Sequence, residues 1–268
     1  MHNTRLVAAM ATLLVFSAQA ASIDPMSIEG VKAGSSGAAR KSLEVQLAKA
    51  DALGTVYLNQ SFSDKTASLP AGWRVPSWNT AKGTVTIDSI TGNLLIDGTK
   101  AASTNLTAVL LPASLETLSN YRVDVEFTID AAIDGNRWGS VMYRTSPTAV
   151  SPANEPYQQF AIRQNATGSS GTEFALRKAG GWTVQNAKPF TEAINKSVTY
   201  KATVVVYGNR VRQYLNDVLL HDVILSSELE KGGVGLQTAG VLYRVKSVKV
   251  TEQLTPLPEL DMPVAVQD

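Results

Sequence analysis

The stretch Tyr121–Ile129 reads YRVDVEFTI, and it decides the fold class. Apolar side chains fall on every second residue, and the residues between them are charged or polar. Successive side chains of a β-strand point to opposite faces. This alternation therefore predicts a strand that covers a core with one face and presents the other to solvent.

Similar runs recur along the chain and are separated by turn residues such as Gly180-Gly181 and Gly208-Asn209. They occupy residues 83–88, 93–97, 105–111, 138–144, 157–164, 172–177, 198–207, 210–215, 218–223, 233–237 and 241–250. The segment 198–223 predicts three consecutive strands in a meander. Because no amphipathic helix lies among these runs, the pattern predicts an all-β protein, an antiparallel sandwich or barrel.

The composition excludes several classes of function. The 268 residues carry 24 Lys+Arg against 23 Asp+Glu, so the chain has no basic excess to bind nucleic acid or an anionic membrane. The absence of cysteine excludes a disulfide scaffold, a thiol nucleophile and a Cys-ligated metal site. Of the two histidines, His221 lies in a strand pattern with no second histidine nearby in the sequence, which is typical of a structural residue.

The N-terminus predicts export. Residues 1–20 contain a basic Arg5, an apolar run from Leu6 to Phe16 and the small-residue motif Ala18-Gln19-Ala20. This order is that of a secretory signal peptide cut after Ala20, and the run is too short to span a membrane easily. The sequence therefore predicts a secreted or periplasmic protein with no membrane span.

Four segments follow from these patterns: a signal peptide over 1–20, a leader over 21–56, a β-sandwich domain over 57–252 and a Pro-rich linker or tail over 253–268. Residues 40–53 have helical spacing, with Gly54 as a candidate C-cap, and this segment is either a short helix or a disordered spacer. The prolines near the end favour an extended segment, either a tail or a linker to a further domain.

Several motifs resemble those of concanavalin A-like and laminin-G-like jelly-roll domains. They are LPAGW (69–73), NYRVDVE (120–126), NRWG (136–139), YQQFAIR (157–163), GVGLQ (233–237) and VKV (248–250). GTEFALR (171–177) and GWTV (181–184) make the chain similar, more narrowly, to the sandwich domain that precedes the catalytic barrel in some secreted bacterial glycerophosphodiester phosphodiesterases. The resemblance implies a jelly-roll of two antiparallel sheets, with any phosphodiester chemistry in a C-terminal catalytic domain beyond Asp268.

Related jelly rolls also include glycan-active enzymes. Asp124 and Glu126 share one strand face, but Arg122 stands where family 16 glycoside hydrolases carry their first glutamate. The alternative is that these carboxylates pair with arginines on a polar face. The 3-keto-disaccharide hydrolases resemble this chain in the GVGLQ run and the final strand, without a residue set that transfers.

Arginines recur on strand faces. Arg144, Arg163, Arg177 and Arg212 would line one sheet face with Gln159 and Glu173 if their strands were neighbours, and planar guanidinium groups suit a glycan or an anionic small ligand. The alternative is that the arginines pair with carboxylates such as Glu173. Trp138 and Trp182 follow loop sequences and are either sugar-stacking rings or core residues, whereas Trp73 is expected in the core.

One loop offers oxygen ligands for a cation. Asp130, Asp134 and Asn136 carry hard oxygens around the Gly135 turn, which makes calcium the cofactor to test for. Asp/Asn-Gly is also ordinary turn chemistry. The sequence thus leads to a non-catalytic module that binds a carbohydrate or cell-envelope ligand, with a glycan hydrolase and a structural adhesion domain as the alternatives.

Overall fold

The computed structural model describes residues 53–79, 82–101, 105–225 and 229–258. These residues form two stacked antiparallel sheets, as the alternation predicts. The predicted signal peptide and nearly all of the predicted helix lie outside the described residues. Leu53 and Gly54 are the exception, and they belong to a strand rather than to the end of a helix.

Fourteen strands lie in the described part of the chain, and a single 3-10 turn, Ala113–Leu115, lies between the fourth and fifth strands. The strands are β1 (Leu53–Ser61), β2 (Thr84–Ile87), β3 (Leu94–Asp97), β4 (Thr107–Leu110), β5 (Tyr121–Ala132), β6 (Trp138–Thr145), β7 (Tyr157–Arg163), β8 (Thr172–Lys178), β9 (Gly181–Lys188), β10 (Tyr200–Tyr207), β11 (Arg210–Leu215), β12 (Val218–Ile224), β13 (Gly233–Ala239) and β14 (Val241–Gln253).

The eight-stranded sheet has the order β12-β11-β10-β5-β14-β3-β2, and β1 also pairs with β14. The first half of β14 therefore pairs with β3 and the second half with β1, on the same edge of the long strand. The predicted meander is confirmed as β10, β11 and β12. Leu53 pairs with Gln253, so the sandwich begins four residues before the predicted boundary at Tyr57.

The six-stranded sheet has the order β4-β13-β6-β7-β8-β9. Its edge strand β9 was not among the predicted runs. Apart from Trp182 and Val184, its sequence GWTVQNAK is polar or small, because an edge strand buries little of either face.

The core lies between the two sheets. Val125, Phe127 and Tyr243 of the eight-stranded sheet pack with Val141 and Phe160 of the six-stranded sheet, and all are fully buried. Trp73 is buried as predicted, with its ring centroid 5.3 Å from that of Phe62. One face of each sheet is therefore buried in this core, and the other face of each sheet points away from it.

Candidate functional site

The face of the six-stranded sheet that points away from the core carries an unusual set of side chains. Because Val141, Phe160 and Phe174 point into the core, the residues that alternate with them point outward. This outer face presents Trp138, Ser140, Met142, Tyr157, Gln159, Ala161, Arg163, Glu173, Ala175, Arg177, Trp182, Gly235 and Gln237. We call it the outer face below.

An apolar cluster separate from the main core lies on the outer face. Met142 and Tyr157 are buried there with Ala108 and Leu110 of β4. The half-buried indoles of Trp78 and Trp182 pack against this cluster. The outer face is therefore not a solvated polar surface but a partly apolar one with aromatic rings above it.

A cleft of about 260 Å³ opens beside this cluster. It is lined by Trp78, Asn105, Leu106, Ala153, Glu155, Tyr157 and Arg177. Glu155 organises one wall: Oε1 accepts from Arg177 Nε at 2.9 Å, and Oε2 accepts from the backbone N–H of Gly180 at 2.7 Å. The indole of Trp78 also lines the cleft, and its Nε1 donates to Asn154 Oδ1 at 3.0 Å.

Trp182 stands at the centre of the aromatic contacts. The guanidinium carbon of Arg177 lies 5.0 Å from the Trp182 ring centroid, a cation–π contact. The Tyr157 ring meets Trp182 edge-on at 5.8 Å, and the Trp138 ring does so at 6.0 Å. Rings with apolar faces beside polar atoms are the usual surface for the faces and hydroxyls of sugars.

A buried polar chain runs along the outer face. The Tyr157 hydroxyl donates to Gln237 Oε1 at 2.9 Å, and Gln237 Nε2 donates to Gln159 Oε1 at 3.1 Å. The hydroxyl of Ser140 is buried on the same face and has no hydrogen-bond partner among the residues that the structure describes. Burial raises the pKa of the Tyr157 phenol well above its ordinary value, so it remains a neutral donor.

The charges of the outer face are paired. Arg163 Nη2 donates to Glu173 at 2.6 Å, and its Nη1 donates to the Asn136 carbonyl at 3.1 Å. Arg177 is paired with Glu155. With both arginines matched by carboxylates, the outer face suits a neutral ligand with many hydroxyl groups better than an anion.

Six of the eight side chains predicted to bind a ligand lie on the outer face: Trp138, Gln159, Arg163, Glu173, Arg177 and Trp182. Arg144 and Arg212 do not join them. Arg144 is 1% exposed, and its guanidinium donates to the carbonyl oxygens of Ser119 and Gly208. Because the Arg144 backbone has a φ of 53°, it leaves the strand alternation on which the prediction depended.

Arg212 lies on the eight-stranded sheet, far from the cleft in the sandwich. It is 1% exposed, its Nε donates to Asp222 at 3.1 Å and its Nη2 donates to the carbonyl of Pro258. The prediction assumed that β11 neighbours β6 to β8, but β11 belongs to the other sheet. Arg212 therefore holds the C-terminal segment against that sheet.

The predicted calcium ligands do not fit a metal ion. Asp130 accepts from Arg244 Nε at 2.5 Å, and Asp134 accepts from Arg137 Nε at 2.7 Å, which lowers the pKa of Asp134. The Asn136 carbonyl accepts from Arg163. Within residues 53–79, 82–101, 105–225 and 229–258, no group of three or more acidic or histidine side chains could hold a metal.

Of the two carboxylates considered for glycoside hydrolysis, Asp124 has a structural role, and Glu126 is exposed on the same strand. Arg122 donates to Asp124 at 2.6 and 2.7 Å, and Thr203 adds a third bond at 2.7 Å. Burial alone would raise the pKa of Asp124, but these partners hold it below its ordinary value. This confirms the alternative that Asp124 pairs with an arginine, on the sheet that does not carry the cleft.

Four residues of the site escaped the sequence reasoning: Trp78, Glu155, Tyr157 and Gln237. Tyr157 carried a usable signal, because it lies on the same face of β7 as Gln159 and Arg163. Gln237 lies on β13, where no candidate was named, and only the strand pairing brings it beside β6. Trp78 and Glu155 lie in irregular segments, where no periodicity reports which way a side chain points.

The architecture defines the chain as a jelly-roll β-sandwich, and solved structures of that class are similar to it. A Bacillus subtilis protein of unknown function with a galectin-like fold has a TM-score of 0.56 at 13% identity, covering 76% of this chain and 99% of that one. A Bacillus licheniformis β-glucanase gives 0.51 at 12% identity, covering 75% and 99%. A Clostridium perfringens endo-β-galactosidase that releases GlcNAcα1-4Gal gives 0.53 at 10%, covering 74% and 63%.

The family is narrower than the class. The profile of the 3-keto-alpha-glucoside-1,2-lyase-like domain matches residues 59–251. The chain therefore belongs to this family, which corresponds to the 3-keto-disaccharide hydrolase type that the sequence offered as an alternative. No curated protein matches the sequence significantly. Among the described residues, no helix is long and apolar enough to cross a membrane.

Proposed function

We propose that this protein binds a neutral saccharide on the outer face of its six-stranded sheet. The observation that carries the proposal is the cleft between Trp78, Tyr157 and Arg177, continued by the indole of Trp182. Aromatic rings pack against the apolar faces of a sugar ring, while the Glu155 carboxylate and the Asn105 amide in the cleft can form hydrogen bonds with its hydroxyl groups. Membership of a family named for an alpha-glucoside supports a sugar ligand.

The size of the cleft supports a small sugar ligand. Its volume of about 260 Å³ is near the lower end, roughly 300 Å³, of small-molecule sites, and this suits a single sugar unit. A longer glycan would reach it with one unit and place the rest along the outer face.

The test is a glycan array carrying neutral and acidic oligosaccharides, followed by calorimetry on each glycan retained. We expect neutral glycans to be retained, and Trp182→Ala and Arg177→Ala to weaken binding at least tenfold. Lys249→Ala is the matched control, because this exposed lysine lies on the eight-stranded sheet. Retention of no saccharide at all would overturn the proposal and favour the adhesion domain.

A second candidate is catalysis on a keto-sugar, and the family name is the observation that favours it. A lyase or hydrolase needs a proton-transfer group beside the sugar, and Glu155 is the carboxylate that lines the cleft. Incubation with a 3-keto methyl α-glucoside, followed by chromatography of the products, tests this. Turnover that Glu155→Gln abolishes would make the protein an enzyme, whereas binding without turnover keeps it a binding module.

The narrower predictions from the sequence stay proposals. We infer export from the N-terminal motif alone, and N-terminal sequencing of the secreted or periplasmic fraction would test cleavage after Ala20. An accessory role beside a phosphodiesterase barrel has no support among the matches above. Reading the coding sequence past the codon for Asp268 tests it directly.

A further inference from the structure

The two indoles of the outer face meet across a surprisingly long backbone distance. In the strand register, Trp138 of β6 pairs with Arg163 at the C-terminal end of β7. Trp182 of β9 pairs with Arg177 of β8, and Arg177 in turn pairs with Tyr157 at the N-terminal end of β7. On a flat sheet, six residues along the strand and three strand spacings across would separate them by about 25 Å. Their ring centroids are nevertheless 6.0 Å apart.

This short distance means that the two indoles lean towards each other across the outer face. In the strand register, the line that joins them crosses the middle of β7 and β8. The residues at that middle position are Gln159 on β7 and Ala175 on β8, which pair with each other. The Trp138–Trp182 pair therefore spans the central part of the face.

Buried polar groups lie in that central part. Ser140 and Gln237 are 0% exposed and Gln159 is 2% exposed, although all three are on the sheet face opposite the main core. Burying a hydroxyl without a hydrogen-bond partner costs roughly 1–3 kcal/mol. The Ser140 hydroxyl has this cost, since it finds no partner among the described residues.

The neighbours of these polar groups are small. Ala161 pairs with Ser140 on one side, and Ala175 pairs with Gln159 on the other. Because these side chains are short, they do not project far from the centre of the outer face. If the two indoles moved aside, Ser140, Gln159 and Gln237 would form a polar floor that is open to a ligand.

The start of β9 provides a means of displacing one ring. Trp182 is the second residue of an edge strand, and it follows a tight turn in which Gly180 has a φ of 76°. Glu155 holds this turn through the N–H of Gly180 and also holds Arg177, on which Trp182 stacks. A ligand that engages Glu155 in the cleft would therefore act directly on the groups that position Trp182.

We propose that the Trp138–Trp182 pair is a cover over a second saccharide subsite, whose floor is formed by Ser140, Gln159 and Gln237. Tyr157 connects the two subsites, because it lines the cleft and donates to Gln237. The ligand class, a further unit of a neutral glycan, rests on the proposed function, while the cover itself does not.

The absence of native cysteine allows the cover to be tested by thiol labelling of the full chain. Ser140→Cys places one thiol on the floor, and its reaction with Ellman's reagent is followed with and without Trp138→Ala. We expect slow labelling with both indoles present and at least a tenfold rise when Trp138 is replaced. An equal rate in the two proteins overturns the cover.

Val141→Cys is the matched control, because Val141 is the next residue on β6 and points into the main core. Its thiol should remain unreactive when Trp138 is replaced. If labelling at both positions accelerates together, the indole pair supports the fold rather than covering a subsite, and the proposal is wrong.

Maltose, a neutral α-glucoside, is the probe for the subsite. In the variant with Ser140→Cys and Trp138→Ala, we expect saturating maltose to slow thiol labelling at least threefold. Maltose that binds by calorimetry without slowing the labelling overturns the subsite and leaves the proposed function standing. If calorimetry shows no maltose binding, the ligand class is overturned, while the labelling rates still decide whether the cover exists.

Discussion

At the scale of single residues, Arg144 shows how a ligand-like side chain can be structural. Its guanidinium bonds the Ser119 and Gly208 carbonyls from a buried position. We expect Arg144→Met to lower the free energy of unfolding by about 2–4 kcal/mol, because both carbonyls lose a charged donor. Urea unfolding measures this. Arg163→Met removes the partner of the buried Glu173, but Arg163 itself is 24% exposed, so we expect a smaller loss than for Arg144→Met, and equal losses would contradict the assignment.

His221 makes the stability depend on pH. Its Nε2 lies 3.1 Å from Thr172 Oγ1, and its Nδ1 has no hydrogen-bond partner within the described part of the chain. Burial, aided by the charge of Lys188, lowers the pKa of His221 to about 4. Below pH 6.5, His221 is protonated in the unfolded chain but stays neutral in the folded chain. The free energy of unfolding therefore falls between pH 6.5 and 4 by up to about 3 kcal/mol.

The measurement is urea unfolding at pH 7 and pH 4.5 for the parent and for His221→Gln. The carboxylates contribute equally to both proteins, so the difference between their pH dependences isolates His221. We expect the variant to lose less stability on acidification than the parent. Identical losses would mean that the pKa of His221 is the same in the folded and unfolded chains.

At the scale of the elements, glycine is required for different structural reasons at Gly171 and Gly180, which flank β8. A Cβ on Gly171 would lie 1.8 Å from the Ala166 carbonyl oxygen, so Gly171→Ala requires the backbone to move. A Cβ on Gly180 meets nothing within 4 Å, and only its positive φ disfavours alanine. We expect thermal unfolding to show a loss of about 1 kcal/mol for Gly180→Ala and a clearly larger loss for Gly171→Ala. A larger effect at Gly180 would contradict this order.

At the scale of the whole molecule, one core joins the two sheets, and β1 pairs with β14 across nearly the whole described length. Strands that depend on such distant partners cannot fold alone. We therefore expect tryptophan fluorescence and near-ultraviolet circular dichroism to report one coincident urea transition. Two separated transitions would show that the sheets unfold independently.

The sequence by itself determined most of the strands, because their alternation between apolar and polar residues is local and follows from the two-residue period of a β-strand. It also placed Gln159, Arg163 and Arg177 on strand faces that proved to be one surface. Strands β1 and β9 escaped it, and β9 is an edge strand, which needs no apolar face.

Only the tertiary structure decided which strands are neighbours, and this separated Arg212 from the arginines of the outer face. It also paired Arg163 and Arg177 with carboxylates, brought Trp78 and Glu155 to the cleft from irregular segments, and brought two indoles that are distant in the strand register into contact. The physical reason is that sheet order, curvature and long-range pairing depend on how the whole chain packs. No local period in the sequence records them.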